Sequence, residues 1–130
     1  MQSTFITNIW ASIFKKMEQQ STRQQKVASL IQKDFSALLT KEAAGLVHGS
    51  LVTVSAVTMS PDLSLARVYL SIFPFANAQA TLKKLRTNVP FLRLELGKKV
   101  KNQLRIVPEI ALFLDDSLER LEHLEKLMEN

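Results

Sequence analysis

Between Lys83 and Arg105 the chain carries eight cationic side chains, Lys83, Lys84, Arg86, Arg93, Lys98, Lys99, Lys101 and Arg105, against Glu95 alone, a net charge of +7. Lysines and arginines spaced along a helix neutralise phosphates and release counterions. An arginine adds a planar fork of donors that matches a phosphate. The chemistry this segment suits is therefore attachment to a nucleic-acid backbone, with Lys84, Arg86, Arg93, Lys98, Lys101 and Arg105 as the candidate contacts. The plain alternative is a solvated helix face. Against it stands the uneven charge of the whole chain: residues 1–49 are net +3, residues 50–82 are neutral, and residues 106–130 are net −5. One segment holds the positive field.

Catalysis and metal binding find no comparable support. The chain has no cysteine, and His48 and His123, its only histidines, lie far apart in sequence. That removes a thiolate nucleophile and makes a histidine metal cluster improbable. Asp115 and Asp116 are neighbours, which on a strand face opposite ways; they suit a strand end and a helix cap. Glycine occurs only at 45, 49 and 97, so no glycine-rich phosphate loop exists. The expectation is a binding protein rather than an enzyme, with no metal, no cofactor and no small-molecule substrate.

These cations need elements to hold them. Thr22, with Gln25 three residues on, predicts a capped helix to about Leu39. Val27, Leu30, Ile31, Phe35, Leu38 and Leu39 form its apolar stripe, leaving Arg23 and Lys26 off it as possible additional nucleic-acid contacts. Gly45 and Gly49 break the chain. Leu51–Met59 and Leu65–Phe73 predict two strands around the turn Ser60-Pro61-Asp62. In the second, Ala66, Val68, Leu70 and Ile72 alternate with Arg67, Tyr69 and Ser71, so one face is core and the other partly wet. Val54, Val57, Val68 and Leu70 are expected to hold the sheet to the helices. Arg67 and Tyr69 are either exposed strand residues or additional RNA contacts. Helices follow over Ala76–Thr87 and Pro90–Gln103. Asn88 or Val89 must break them apart, because proline disfavours the helical conformation in the residue before it. Leu92, Leu96 and Val100 are the buried line of the second, with Phe91 beside it. A third strand, Ile106–Leu114, places Ile110, Leu112 and Leu114 on one face. A last helix, capped by Asp116 or Ser117, lines up Leu118, Leu121, Leu124 and Leu127 or Met128. The order is that of an α+β domain with helices on one face of a three-stranded sheet.

A chain of 130 residues with 46% apolar side chains suits a single domain. Ahead of the pattern stands MQSTFITNIWASIFKKMEQQST. Its apolar part, Phe5 to Phe14, is interrupted by Thr7, Asn8 and Ser12 and falls short of the ~20 residues of a membrane span. Lys15 and Lys16 follow it, the reverse of a signal peptide. It reads either as a short amphipathic helix that touches a membrane or a partner, or as a frayed extension. The expected organisation is a flexible N-terminal extension, residues 1–21, and a binding domain, residues 22–130. Absence of cysteine fits a reducing, cytoplasmic setting, and a monomer is the default where no extra apolar stripe is evident.

From Thr22 onward the chain resembles the ribosome-binding factor A family. The resemblance rests on RQQKVASLIQKDFSALL, VTVSAVTMSPDLSLARVYLSIF, FLRLELGKKV, LRIVPEIALFLDDS and LERLEHLEKLM, in that order. It implies a type II KH-like fold and a non-enzymatic role on the small (30S) ribosomal subunit late in its maturation. There it would assist 5′-end processing and folding of 16S rRNA. A different class is a KH-like module for single-stranded RNA not dedicated to the ribosome; the absent GxxG loop speaks against it. A third is a protein-only adaptor acting through the acidic last helix. Two features depart from the family's pattern. Its alanine-x-glycine kink is replaced by Asn88, Val89 and Pro90, and the link KKVKNQLRIVPE is about two residues longer than is usual.

Overall fold

The computed structural model describes residues 15, 19–41, 45–47, 49–115 and 117–128, without the side chains of 117–122. Helix α1 spans Thr22–Lys41. Its cap lies one residue earlier than the sequence suggested. Ser21 Oγ accepts the Gln24 amide at 3.1 Å, and Gln24 Oε1 accepts the Ser21 amide at 2.8 Å. This reciprocal pair satisfies two otherwise orphaned donors. It wins over Thr22–Gln25 because Gln24 is buried there and its side-chain Nε2 also donates to Met59 O at 3.0 Å. Val27, Ala28, Ile31, Phe35, Leu38 and Leu39 carry the buried stripe, and Leu30 only borders it.

Strands β1 (Leu51–Met59) and β2 (Leu65–Phe73) are antiparallel. In the turn between them the Asp62 carboxylate accepts hydrogen bonds from the Ser60 and Ser64 hydroxyls and from the Ser64 amide. The Ser64 hydroxyl above all, then the Ser60 hydroxyl, hold its pKa below the usual carboxylate range. Strict alternation would put Val54 and Val57 on opposite faces. The register shifts between Val54 and Ala56, so Ser55 is an inserted residue. This bulge returns Val57 and Met59 to the face of Val52 and Val54. On β2, Ala66, Val68, Leu70 and Ile72 are buried, while Arg67, Tyr69 and Ser71 on the other face are half-buried.

A 3-10 turn, Phe75–Asn77, leads into α2 (Ala78–Thr87) and α3 (Val89–Val100). The break is Asn88 alone, at φ −101° and ψ 14°. Helix α3 therefore begins at Val89, one residue before the expected start, with Pro90 in its first turn, where a missing N–H costs nothing. It ends at Val100 rather than Gln103, in a turn where the Gln103 and Leu104 amides share the Val100 carbonyl. Strand β3 is Glu109–Leu114, shorter than expected; Ile106 stays outside it, 76% exposed.

The sheet order is β1-β2-β3, with β3 parallel to β2. Ile110 lies opposite Ala66 and Leu112 opposite Val68, so β3 feeds the same core as α1, α2 and α3. Helix α4 (Ser117–Met128) closes the order. Its expected stripe does not stay buried to the end: Leu124 is half-buried, but Leu127 and Met128 are 61% and 82% exposed. Leu118 and Leu121, and the expected Asp116 or Ser117 cap, lie outside the described side chains.

Candidate nucleic-acid interface

Position on the helices decides what each cation can do. In α3, Leu92, Leu96 and Val100 are fully buried. At 100° per residue the opposite face carries Phe91, Leu94, Lys98 and Lys101. On this face the cations are interleaved with apolar side chains. Leu94 is 62% exposed and Phe91 is 43% exposed, so Phe91 lies off the buried line. Exposed Ile106 follows Arg105 in the link beyond α3. Sequence reasoning missed Leu94 and Ile106 as surface residues. The available signal was their place off the Leu92–Leu96–Val100 spacing.

Arg86 and Arg93 differ from the lysines. Arg86 Nε and Nη2 both donate to Leu112 O, at 3.1 and 2.7 Å. The Glu109 and Asp115 amides bond to Ser64 and Leu70 carbonyls of the neighbouring chain segment. Alternation therefore turns the Leu112 carbonyl to the open edge of β3. The guanidinium caps that edge, where an unpaired carbonyl invites another strand. Arg93 holds the residues leading into β3, donating to Pro108 O at 3.1 Å and Val107 O at 2.7 Å. Each guanidinium has five N–H donors. Both residues are exposed overall, and the bonds to the chain use only part of that donor set.

Lys98 pairs with Glu95, three residues earlier, at 3.0 Å, with the Lys98 side chain 65% and the Glu95 side chain 18% exposed. The exposed ammonium end of the pair is solvated and screened, which leaves it open to a phosphate as well. Lys84, Lys101 and Arg105 are exposed, as are Arg23 and Lys26 on α1. Lys99 is half-buried, its stem running past the core line. Lys84, Arg86, Arg93, Lys98, Lys101 and Arg105 thus lie on consecutive segments, α2, α3 and the link to β3. Arg67 and Tyr69 lie on the sheet face away from the helices, where the Tyr69 ring stacks on Phe113 with centroids 5.5 Å apart.

Among the described residues no group of His, Asp and Glu could hold a metal ion, and no helix is long and apolar enough to cross a membrane. The surface offers phosphate attachment through cations and contact through Phe91 and Leu94.

Comparison with known proteins adds an independent line. The family model for ribosome-binding factor A matches residues 23–128. The ribosome-binding factor A of Cytophaga hutchinsonii is 38% identical over 109 residues, which cover 84% of this chain and 82% of that protein. The crystal structure of ribosome-binding factor A from Thermus thermophilus matches with a TM-score of 0.59 at 20% identity, over 70% of this chain and 94% of that one. A homology model of the Thermus thermophilus factor, fitted into a cryo-EM map of a complex of that factor with the 30S subunit, matches with a TM-score of 0.56 at 20% identity, over 68% of this chain and 91% of that one. At that identity the two structural matches speak for the fold.

Proposed function

This chain belongs to the ribosome-binding factor A family, and on that premise we propose that it binds the small ribosomal subunit during late maturation and assists 5′-end processing and folding of 16S rRNA. It is a binding factor and not an enzyme. The observation that carries the reading is the match over residues 23–128 together with the net +7 of residues 83–105 inside it. Lys84, Lys98, Lys101 and Arg105 take the phosphate contacts. Arg86 caps the β3 edge and Arg93 holds the residues leading into it, and both offer their outer N–H groups to the rRNA backbone. Arg23 and Lys26 extend the same field more weakly. Phosphate contacts position a protein without reading sequence. Recognition of the subunit then depends on the shape of folded rRNA against the α2–α3 surface. The protein acts as a cytoplasmic monomer in this reading.

The test is co-sedimentation. Purified protein is mixed separately with immature small subunits, mature small subunits and large subunits, then run on sucrose gradients, with a panel of short RNAs titrated in parallel. Association with small subunits and not with large ones is the expected result. Equal association with both, or a preference of several hundredfold for one short oligonucleotide, contradicts it.

A further inference from the structure

The outer face of α3 carries more than phosphate attachment needs. Phosphates ask only for cations and hydrogen-bond donors, yet Phe91 and Leu94 stand exposed opposite the core. A single exposed leucine is ordinary. A phenylalanine and a leucine set among lysines on one helix face are not explained by phosphate contacts. At 100° per residue, Lys98 stands almost directly above Phe91, two turns on, and Lys101 stands the same way above Leu94. Each apolar side chain thus has a lysine ~10 Å further along the axis. The Phe91 ring meets no other ring among the described residues. Glu95, the one anion of this helix, is held by Lys98.

The face is held in place from three sides. Leu92, Leu96 and Val100 anchor α3 from behind. At its start the Asn88 backbone and side-chain N–H groups both donate to the Lys84 carbonyl, at 3.2 and 2.8 Å. Beyond its end Arg93 ties down the link, and Val107 lies so close over Gly97 that a Cβ there would stand 3.2 Å from Val107 Cγ2. Side chains on so fixed a surface lose little freedom on binding. A nucleic acid offers apolar surface chiefly on the faces of its bases. In duplex RNA those faces are stacked inward, the major groove is too narrow for side chains, and the minor groove shows 2′-hydroxyls and base edges. An unpaired, splayed base does offer a face that an exposed ring can cover.

We propose that Phe91 is the stacking platform for an unpaired RNA base, with Leu94 against the adjoining nucleotide and Lys98 and Lys101 on the phosphates that follow. This rests on the RNA-binding reading of the α2–α3 surface and deepens it: the segment held there is single-stranded and not a duplex. Every base has a face to stack, so the platform is indifferent to base identity and selects for unpaired structure. Such a surface grips a strand while it is unpaired and loses that grip once the strand pairs.

The test titrates the full chain, across a salt series, with a short unpaired RNA and with the same RNA paired to its complement. Phe91→Ala should weaken binding to the unpaired RNA about 5- to 150-fold. The salt slope should stay that of the parent, because a stack releases no counterions. Phe91→Trp, with a larger ring, should bind at least as tightly as the parent. Neither variant should move the urea midpoint or the binding of the duplex, since Phe91 lies off the core. On small subunits, a photoreactive phenylalanine analogue at position 91 should crosslink to an unpaired rRNA nucleotide. Failure of the parent to associate with small subunits overturns the ribosomal reading alone, because the Phe91 effect is read on free RNA. The stacking proposal is overturned by a parent that does not bind unpaired RNA, by an unchanged affinity in Phe91→Ala, or by an equal loss on the duplex. A crosslink to a ribosomal protein or to a paired nucleotide overturns it as well.

Discussion

Leu70 is fully buried at the centre of the sheet, opposite Val54 on one strand and Leu114 on the other. Truncating it leaves a cavity that neighbours on three elements cannot collapse to fill. Leu70→Ala is expected to cost about 2–5 kcal/mol, read as a lower urea midpoint; an unchanged midpoint would contradict the face assignment. Arg86 is a different case, an exposed residue whose guanidinium makes two hydrogen bonds to one edge carbonyl. Its part-buried, partly solvated setting keeps the effect at the low end for a charged hydrogen bond, about 1.5 kcal/mol for Arg86→Ala. Lys84→Ala on the same helix should leave the midpoint unmoved. Equal midpoints for the two variants would mean that the Arg86 contact holds nothing. Nothing in the local sequence distinguishes these two cations. Their difference lies in which of them reaches a strand 26 residues away.

At the scale of the element, α3 presents Lys98 and Lys101 on the face directly opposite Leu92, Leu96 and Val100. Removing both should leave the core untouched and reduce only the electrostatic part of binding. Each phosphate contact contributes about 0.9 to the salt-dependence slope on duplex nucleic acid and about 0.7 on single strands. Lys98→Ala with Lys101→Ala is therefore expected to lower that slope by roughly one to two units with the urea midpoint preserved. Small-subunit binding measured across a salt series decides it. An unchanged slope would assign this face of α3 to solvent and move the search to Arg23 and Lys26. The helix was legible as an element because Leu92, Leu96 and Val100 keep a four-residue spacing. Its mixed outer face was less legible. Phe91 and Leu94 look like core residues until the direction of the core is known.

Over the whole molecule, the sheet has two open edges, and side chains from the helical layer cap both. Gln20, Gln24 and Gln32 donate to Met59 and Val54 carbonyls of β1. Arg86 and Arg93 serve β3 and the residues leading into it. Edges satisfied in this way resist strand addition by another chain. The charge is divided as well, net +7 over residues 83–105 and net −5 over residues 106–130. An anionic surface approached by such a molecule is drawn to the α2–α3 side and repelled from the acidic segment. Orientation on a phosphate-rich partner is thereby set before close contact.

The sequence by itself determined the order of helices and strands, the core face of β2, the break before Pro90 and the position of the positive field. Each depends on residue type and spacing within a few positions, where side-chain direction follows directly from backbone periodicity. Only the tertiary structure decided that β3 lies parallel to β2 and that Ser55 is inserted so that Val54 and Val57 share a face. It also decided that Ser21 rather than Thr22 caps α1, and that two of the six candidate phosphate-binding residues also bond to β3 or to the residues leading into it. These outcomes turn on which polar groups from distant parts of the chain meet, as Gln24 meets Met59 and Arg86 meets Leu112. No local spacing encodes them, because the hydrogen-bond partner that selects one local choice over its neighbour is supplied by another element.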